Sequence, residues 1–430
     1  MGPAIRLPRL RVTINTWMHQ PDVPVKATFE QWRVLALLVV CVLVNYLDRG
    51  NLSVAAVPLK QALSLTDAQT GLLLSAFFWT YAFCQLIAGW LLDRYDVYRV
   101  LAAGFFLMSL ATALTAAVHT FWELFALRLI VGIGAATAFP SFSKILASDY
   151  QESQRGKANA FIDLGTKVAT PLGMMIGGFV LIRWNWQALF AMLGLGAMIW
   201  LPLWFRWRPR VHVVQAKAAL LARPPGMLEL LAQRSVWGSF FGLYCLNSAW
   251  YFLITWFPSY LITQRHFSME RMALLGSLPF WLLAVSTTIS GWVADYWIAW
   301  GGSPTVVRKT FLVSGMLMCT LLLPAGEVAD DRLSISLFAL ACFSFGMTTS
   351  NHWGVTQTLA GPSAAGKWTG MQNAFGNVAG ITMPAITGVI VGQTKSFHLA
   401  FVLVAVMVTL GAASYGFLIG PIKPIRWRDA

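Results

Sequence analysis

The sequence predicts an all-α membrane protein with twelve transmembrane helices in two pseudo-symmetric six-helix bundles. Three observations carry that expectation. Of the 430 residues, 57% are apolar and only 11% charged, against about 25% charged in ordinary soluble domains. The apolar residues gather into twelve stretches, each long enough to span about 30 Å of hydrocarbon. The only long polar interruption, Arg206 to Ser235, divides those stretches six and six.

The stretches lie near 33–56, 69–92, 98–118, 121–146, 156–182, 187–206, 236–263, 271–297, 306–325, 332–357, 366–392 and 396–420. An even number puts both termini on one side. That side receives 22 Lys and Arg, and the other only six (Lys60, Arg183, Arg265, Arg271, Arg332, Lys395). Cationic loops stay in the cytoplasm, so the expected location is the plasma (inner) membrane with both termini cytoplasmic. The expected divisions are a cytoplasmic segment 1–32, a bundle 33–206, a cytoplasmic linker 207–235, a second bundle 236–420 and a tail 421–430. An internal repeat fits the division. Gly89-Trp90-Leu91-Leu92-Asp93 recurs as Gly291-Trp292-Val293-Ala294-Asp295, and Gly156-Lys157 recurs as Gly366-Lys367.

Composition also excludes functions. The net charge of +14 is spread over short loops, as orientation requires, so no nucleic-acid partner is expected. Cys41, Cys84, Cys245, Cys319 and Cys342 all lie in apolar stretches without a CxxC pair, which reads as packing. His119, His266, His352 and His398 are too scattered for a metal set, and no phosphate-cradling loop is present, so neither metal nor cofactor is expected. Arg6 to Lys26 is polar and basic and reads as no secretory signal. No paired acid–base set marks an enzyme.

The informative stretch is Asn45-Tyr46-Leu47-Asp48-Arg49, which places an acid and a guanidinium inside an apolar segment. A charge at the centre of a membrane helix costs roughly 2.5 to 3.5 kcal/mol, and such residues usually mark a substrate or ion path. Lys167 and Arg128 are the other intramembrane cations.

Several motifs carry a family resemblance. Gly89-x3-Asp93-Arg94-x4-Arg99 is similar to the loop signature of the major facilitator superfamily, with Asp96 where that family usually has Gly. Arg128-x3-Gly132-x-Gly134 is similar to its fourth-helix motif. Asn45-Tyr46-Leu47-Asp48-Arg49-x3-Ser53, Thr255-Trp256-Phe257-Pro258-x-Tyr260-Leu261 and Gly380-Ile381-Thr382-x-Pro384-x2-Thr387-Gly388 resemble its anion:cation symporter branch. That branch includes bacterial permeases for galactonate, hexuronate, glucarate, tartrate and phthalate, and animal sialin. The resemblance implies the major facilitator fold, a site between the halves near the midplane, and import of a small organic anion by proton symport with alternating access. It implies proton or ion-pair work for Asp48, carboxylate contact for Arg49, and the fourth-helix arginine for Arg128. Tyr46 and Tyr81 match site-lining hydroxyls, and Trp353 and Asn373 match second-half substrate contacts. It also implies a carrier that works as a single chain in lipid. One position departs: the glutamate that many proton-coupled members carry seven residues after the fourth-helix arginine is Ala135 here. A proton-independent facilitator or an anion exchanger therefore stays open.

Depth, counted at 1.5 Å per residue, is an independent guide. Asp48, Arg49 and Arg128 lie about 10 to 12 Å from one membrane face, so they can meet. Adjacent helical residues point about 100° apart, so one of the first-helix pair can face Arg128 while the other faces a cavity. Tyr81, Lys167, Asn247, Trp281 and Asn377 fall roughly 15 to 18 Å deep, at the midplane, where they are expected to line the site. Two roles are open to Lys167: neutralising Asp163 one turn away, or acting as a second cation for a substrate with two separated negative groups. Trp281 and Trp353 are open to packing or to substrate contact. Asp93, Arg94, Arg99 and Asp295 lie at helix ends on the cytoplasmic face, where a gating salt bridge is expected.

Overall fold

The computed structural model describes residues 28–150, 152–208 and 225–427. Among these, eleven helices are long and apolar enough to cross a membrane. Together with the 28-residue helix Asp67–Arg94 they correspond one for one to the twelve apolar stretches. In chain order they are α1 (Phe29–Val54), α2 (Asp67–Arg94), α3 (Val97–Ala117), α4 (Phe121–Leu146), α5 (Ala158–Arg183), α6 (Trp186–Trp207), α7 (Arg234–Thr263), α8 (Met269–Ala299), α9 (Pro304–Glu327), α10 (Asp331–Gly361), α11 (Lys367–Thr394) and α12 (His398–Leu418). The segment expected over 1–32 lies mostly outside the described residues, as does the core of the 207–235 linker. The chain is an integral, multi-pass membrane protein.

The polar residues that separate the apolar stretches act as caps. Thr28 with Gln31, Thr66 with Gln69 and Thr120 with Glu123 form reciprocal capping boxes at the starts of α1, α2 and α4. Asp96, Asn185, Ser268 and Asp330 each accept a hydrogen bond from a backbone N–H at the starts of α3, α6, α8 and α10. Each satisfies a donor that helix geometry leaves orphaned. Asp96, the departure within the loop motif, is thus a helix cap whose carboxylate receives the Arg99 N–H at 2.9 Å.

Small residues decide how closely the helices approach. A Cβ on Gly132 would come within 2.3 Å of the Phe77 carbonyl on α2, and one on Gly134 within 2.5 Å of the Gly104 carbonyl on α3. The fourth-helix motif is therefore a packing device that draws α4, and Arg128 with it, against α2 and α3. Among the spans, α7 is the most buried, while α6, α9 and α12 are the least. The two groups of six helices meet along α1, α2 and α5 of the first and α7, α8 and α11 of the second.

That seam is tight toward the end of the bundle carrying the α1–α2 loop. A Cβ on Gly71 would stand 2.5 Å from the Pro384 carbonyl and 2.8 Å from the Gly388 Cα, so α2 and α11 touch backbone to backbone. Deeper, the Phe78 ring lies 4.4 Å from that of Tyr251. A Cβ on Gly178 of α5 would meet Ala273 of α8 at 2.5 Å. At the opposite end, the ion pairs among the described residues do not cross the seam: Arg208 pairs with Asp96 at 3.5 Å, and Arg308 with Asp295 at 2.7 Å.

Two further features bear on movement. α10 and α11 run into one another through Gly361, whose φ of 64° and ψ of 178° belong to a region essentially reserved for glycine. The chain's last described residues return to this place. The Ile425 N–H donates to the Leu359 carbonyl and the Trp427 indole N–H to the Ala360 carbonyl, at 3.0 and 2.9 Å.

Substituting Gly71→Leu forces α2 from α11, and overpacking of this kind costs about 1 to 3 kcal/mol. With the five native cysteines replaced, a reporter cysteine at the buried Thr70 is expected to react with a water-soluble maleimide roughly tenfold faster in the Gly71→Leu background, since about 1.4 kcal/mol is a factor of ten.

Candidate functional site

α1 presents its two charged neighbours in different directions, as helical geometry dictates. Asp48 turns toward α3 and α4. Its Oδ1 accepts a hydrogen bond from the Thr112 hydroxyl at 2.9 Å, and its Oδ2 stands 3.7 Å from Arg128 Nη1. That separation is an ion pair but too long for a hydrogen bond. Both residues are buried, Arg128 to 1% exposure. One turn earlier, the Asn45 amide donates to the Met108 sulfur at 3.4 Å. Thr80 on α2 donates to the Leu129 carbonyl at 2.7 Å, fixing the α2–α4 register beside the pair.

Arg49 turns the other way, into rings. Its guanidinium carbon lies 4.6 Å from the Tyr46 centroid, 4.7 Å from Phe77 and 4.2 Å from Tyr81. Tyr81 stacks on Phe77 at 5.0 Å, and the far side of Phe77 approaches Arg128 at 5.9 Å. Three desolvated aromatic faces, at up to about 2 kcal/mol each, are enough to match the roughly 2.5 to 3.5 kcal/mol cost of a mid-membrane cation. The rings leave most of the guanidinium's hydrogen-bonding capacity unused: the Tyr81 hydroxyl is in hydrogen-bonding contact with it, but Arg49 Nε and Nη2 are buried and donate to no acceptor among the described residues. A planar fork with free donors, held in place by π-faces, is suited to a carboxylate.

α7 completes the cluster from the other six helices. Tyr251, within electrostatic reach of Arg49, donates its hydroxyl to Asn377 Oδ1 at 2.5 Å. Its sequence neighbour Trp250 receives the Lys167 ammonium over its ring at 5.7 Å. The cations of α1 and α5 thus converge on adjacent residues of α7. Lys167 has no carboxylate within 4 Å among the described residues, and Asp163, one turn away, is exposed and makes no ion pair with it. The neutralising role open to Lys167 is therefore not the arrangement found.

The remaining expected residues are placed as follows. Asn247 spends its amide on the Gly376 carbonyl at 3.0 Å, pinning α7 to α11. Asn373 is half-buried one turn from Asn377. Trp353 is half-buried with its ring 4.4 Å from His352, and Trp281 is half-buried on α8. Of the expected gate residues, Asp295 pairs with Arg308, which also donates to Asn351 Oδ1 at 3.0 Å. Arg94 lies over the Trp90 ring at 4.1 Å, Arg99 is exposed, and the Asp93 side chain is outside the described residues. Sequence reasoning missed Thr112, Phe77, Trp250 and Tyr251. Tyr251 carried a signal, because it lies at the same helical depth as Tyr81. Thr112 carried none.

Residues 38–381 match the family model described as Major Facilitator Superfamily. The chain belongs to that superfamily. It is accordingly a membrane transporter and not an enzyme. Among curated relatives, the chain is 30% identical to "Probable galactarate/D-glucarate transporter GudP" of Bacillus subtilis (strain 168), covering 93% of this chain and 94% of that one. It is 29% identical to "Probable galactarate/D-glucarate transporter GarP" of Escherichia coli (strain K12), over 93% and 96% of the two chains. With the "D-galactonate transporter" of Escherichia coli O6:H1 it shares 30% identity over 94% and 100%. Among solved structures, a bacterial homologue of the human lysosomal transporter Spinster, in an inward-facing and occupied conformation, matches with a TM-score of 0.75. That match has 16% identity and covers 91% of this chain and 97% of that one. The superfamily and its fold are those the motifs implied.

Breaking a buried ion pair by removing one partner costs about 3 to 5 kcal/mol, whereas replacing both partners with neutral groups of similar volume is far milder. Arg128→Ala is therefore expected to lower the melting temperature of the detergent-solubilised carrier sharply. The double change Asp48→Asn with Arg128→Gln should recover most of that loss, measured by thermal unfolding of all three variants.

Proposed function

We propose that this carrier imports a sugar acid, an aldarate or aldonate such as galactarate, glucarate or galactonate, across the plasma membrane by proton symport. One observation carries the reading. Two intramembrane cations, Arg49 and Lys167, reach the junction of the two six-helix groups with no carboxylate within 4 Å among the described residues. A net cationic site of this kind favours an anion, and two separated cations favour one with two carboxylates. The cargo named for the relatives agrees. In this reading Arg49 holds one carboxylate, and Lys167 the second or a polar group of the cargo. Tyr46, Tyr81, Asn373, Asn377, Asn247, Trp281 and Trp353 line the space between them and meet hydroxyls or the carbon chain.

Alternating access follows from the seam. Among the described residues, the contacts closing the α1–α2 loop end are glycine approaches, one aromatic pair and the ion pair of Asp67 with the exposed Lys395, which separate without stranding a fully buried charge. By the Lys and Arg count that end is the outer one, with both termini cytoplasmic. Asp93, Arg94, Arg99 and Asp295 at the other end then belong to the inner gate. The carrier acts as a single chain, each holding a whole site.

Asp48 is the proton carrier in this scheme, because it is the only carboxylate in the buried set of the described residues. Its pairing with Arg128 favours the ionised form and its burial the neutral form. A change in the pair's separation during the cycle shifts that balance. A second reading, facilitated diffusion or anion exchange, is favoured by Ala135. That residue is buried at 2% exposure and leaves the mid-membrane part of the fourth helix without an acid, since Glu123 sits at its capped start.

Purified carrier in proteoliposomes is expected to take up galactarate, and Arg49→Ala should lower uptake at least a hundredfold, since charge-assisted hydrogen bonds are worth about 1.5 to 3 kcal/mol each. Lys167→Gln should lower the preference for galactarate over galactonate roughly tenfold, one lost pairing at about 1.4 kcal/mol per factor of ten. Undiminished uptake by Arg49→Ala overturns the substrate assignment. Asp48→Asn should abolish accumulation driven by an imposed proton gradient while preserving exchange of labelled for unlabelled substrate. Accumulation that persists in the wild-type protein after the gradient is collapsed selects the exchanger reading instead.

A further inference from the structure

A cavity of about 340 Å³ opens at the α1–α2 loop end, remote from Arg49. Small-molecule sites run from about 300 to 1,000 Å³, so it can hold a compact solute. Both groups of helices line it. The first contributes Lys60 from the short helix Ala56–Ala62 and Asp67 and Thr70 from α2. The second contributes Trp256, Ser259 and Thr263 from α7, His266 beyond it, and Lys395 at the end of α11.

Its charges do not balance. Asp67, whose side chain is 13% exposed, accepts from both Lys60 and Lys395, the second at 3.5 Å. Two ammonium groups thus share one carboxylate, and the Lys395 side chain is 76% exposed. The Ser259 hydroxyl lines the same cavity, is itself 4% exposed, and has no hydrogen-bond partner. One uncompensated cation beside an unpartnered buried hydroxyl is a request for a hydrogen-bonding anion.

The Asp67–Lys395 contact also ties α2 to the end of α11, directly above the place where Gly71 meets Gly388. We propose that this cavity is a carboxylate-binding vestibule. An incoming sugar acid lodges its carboxylate between Lys60 and Lys395, with Ser259 donating to it, and in doing so draws Lys395 away from Asp67. Binding would then loosen the seam through which the substrate must pass. The identity of the solute as a sugar acid rests on the function proposed above, whereas the carboxylate chemistry rests on the cavity alone.

The test uses the full-length carrier with its native cysteines replaced, a reporter Thr263→Cys, and Arg49→Ala to remove the central cation. Galactarate, and separately acetate, should slow maleimide labelling of Cys at position 263, while galactitol, the uncharged analogue, should not. Lys60→Gln with Lys395→Gln should remove the protection. Asp67→Asn is decisive for sign. If the lysines serve only to latch Asp67, Asp67→Asn and Lys395→Gln will act alike on labelling and neither will change protection. If they bind the anion, Asp67→Asn frees both lysines and should tighten galactarate protection several-fold, while Lys395→Gln weakens it. Protection that is absent in the Arg49→Ala background, equal with galactitol, or unaffected by the lysine changes overturns the proposal. Protection by acetate with no galactarate uptake by the otherwise wild-type carrier would overturn the sugar-acid reading and leave the vestibule standing.

Discussion

The constraint on which the rest of the structure depends is the placement of three cations and one buried acid in a medium that tolerates none of them singly. Among the described residues there is one buried carboxylate to distribute, and it goes to Arg128. Thr112 hydrogen-bonds to it, and the glycine approaches of α4 hold the pair in place. Arg49, one residue along the same helix, must then be stabilised by something other than an acid. Aromatic faces serve because they lower the energy of a cation without consuming its hydrogen bonds. The outcome is a guanidinium that is both held still and chemically uncommitted, which is the state a binding site for anions requires.

The fold was legible because the bilayer makes length and hydropathy sufficient: each of the twelve apolar runs is a helix, and the polar residues between them turn out to be caps. The meeting of Asp48 with Arg128 was legible as well, since depth along a helix can be counted from sequence. What lies across the bundle could not be counted. Thr112 is one threonine among many on an apolar helix, and only the rotation of α3 aims it at Asp48. Spacing put Asp163 and Lys167 on one face of α5 and left their pairing open. The structure leaves them apart because the longer lysine reaches across to Trp250 while the aspartate stays at the surface. Asn247 and Asn377 were expected at midplane depth lining the site, and their hydrogen bonds to a backbone carbonyl and to Tyr251 could not be counted from depth alone.

The two ends of the bundle are held by different kinds of contact. Toward the α1–α2 loop, backbone meets backbone at Gly71 and Gly388, and the ions described there are the half-buried Lys60 and the exposed Lys395 sharing Asp67. At the other end, Arg308 serves Asp295 and Asn351 within its own group of six. Contacts of the first kind can be made and lost without exposing a desolvated charge, so the seam can open at low cost. Contacts of the second kind preserve the internal geometry of each group while the seam changes. In the transport cycle proposed above, this division lets each group keep its shape while the boundary between them changes.

The union of α10 with α11 has a practical corollary. A single glycine sets the bend, and the carboxy-terminal strand of the chain is fastened by two hydrogen bonds to the residues immediately before it. Whatever is appended to that strand, a purification handle or a fluorescent fusion, pulls on the one joint that sets the tilt of both helices.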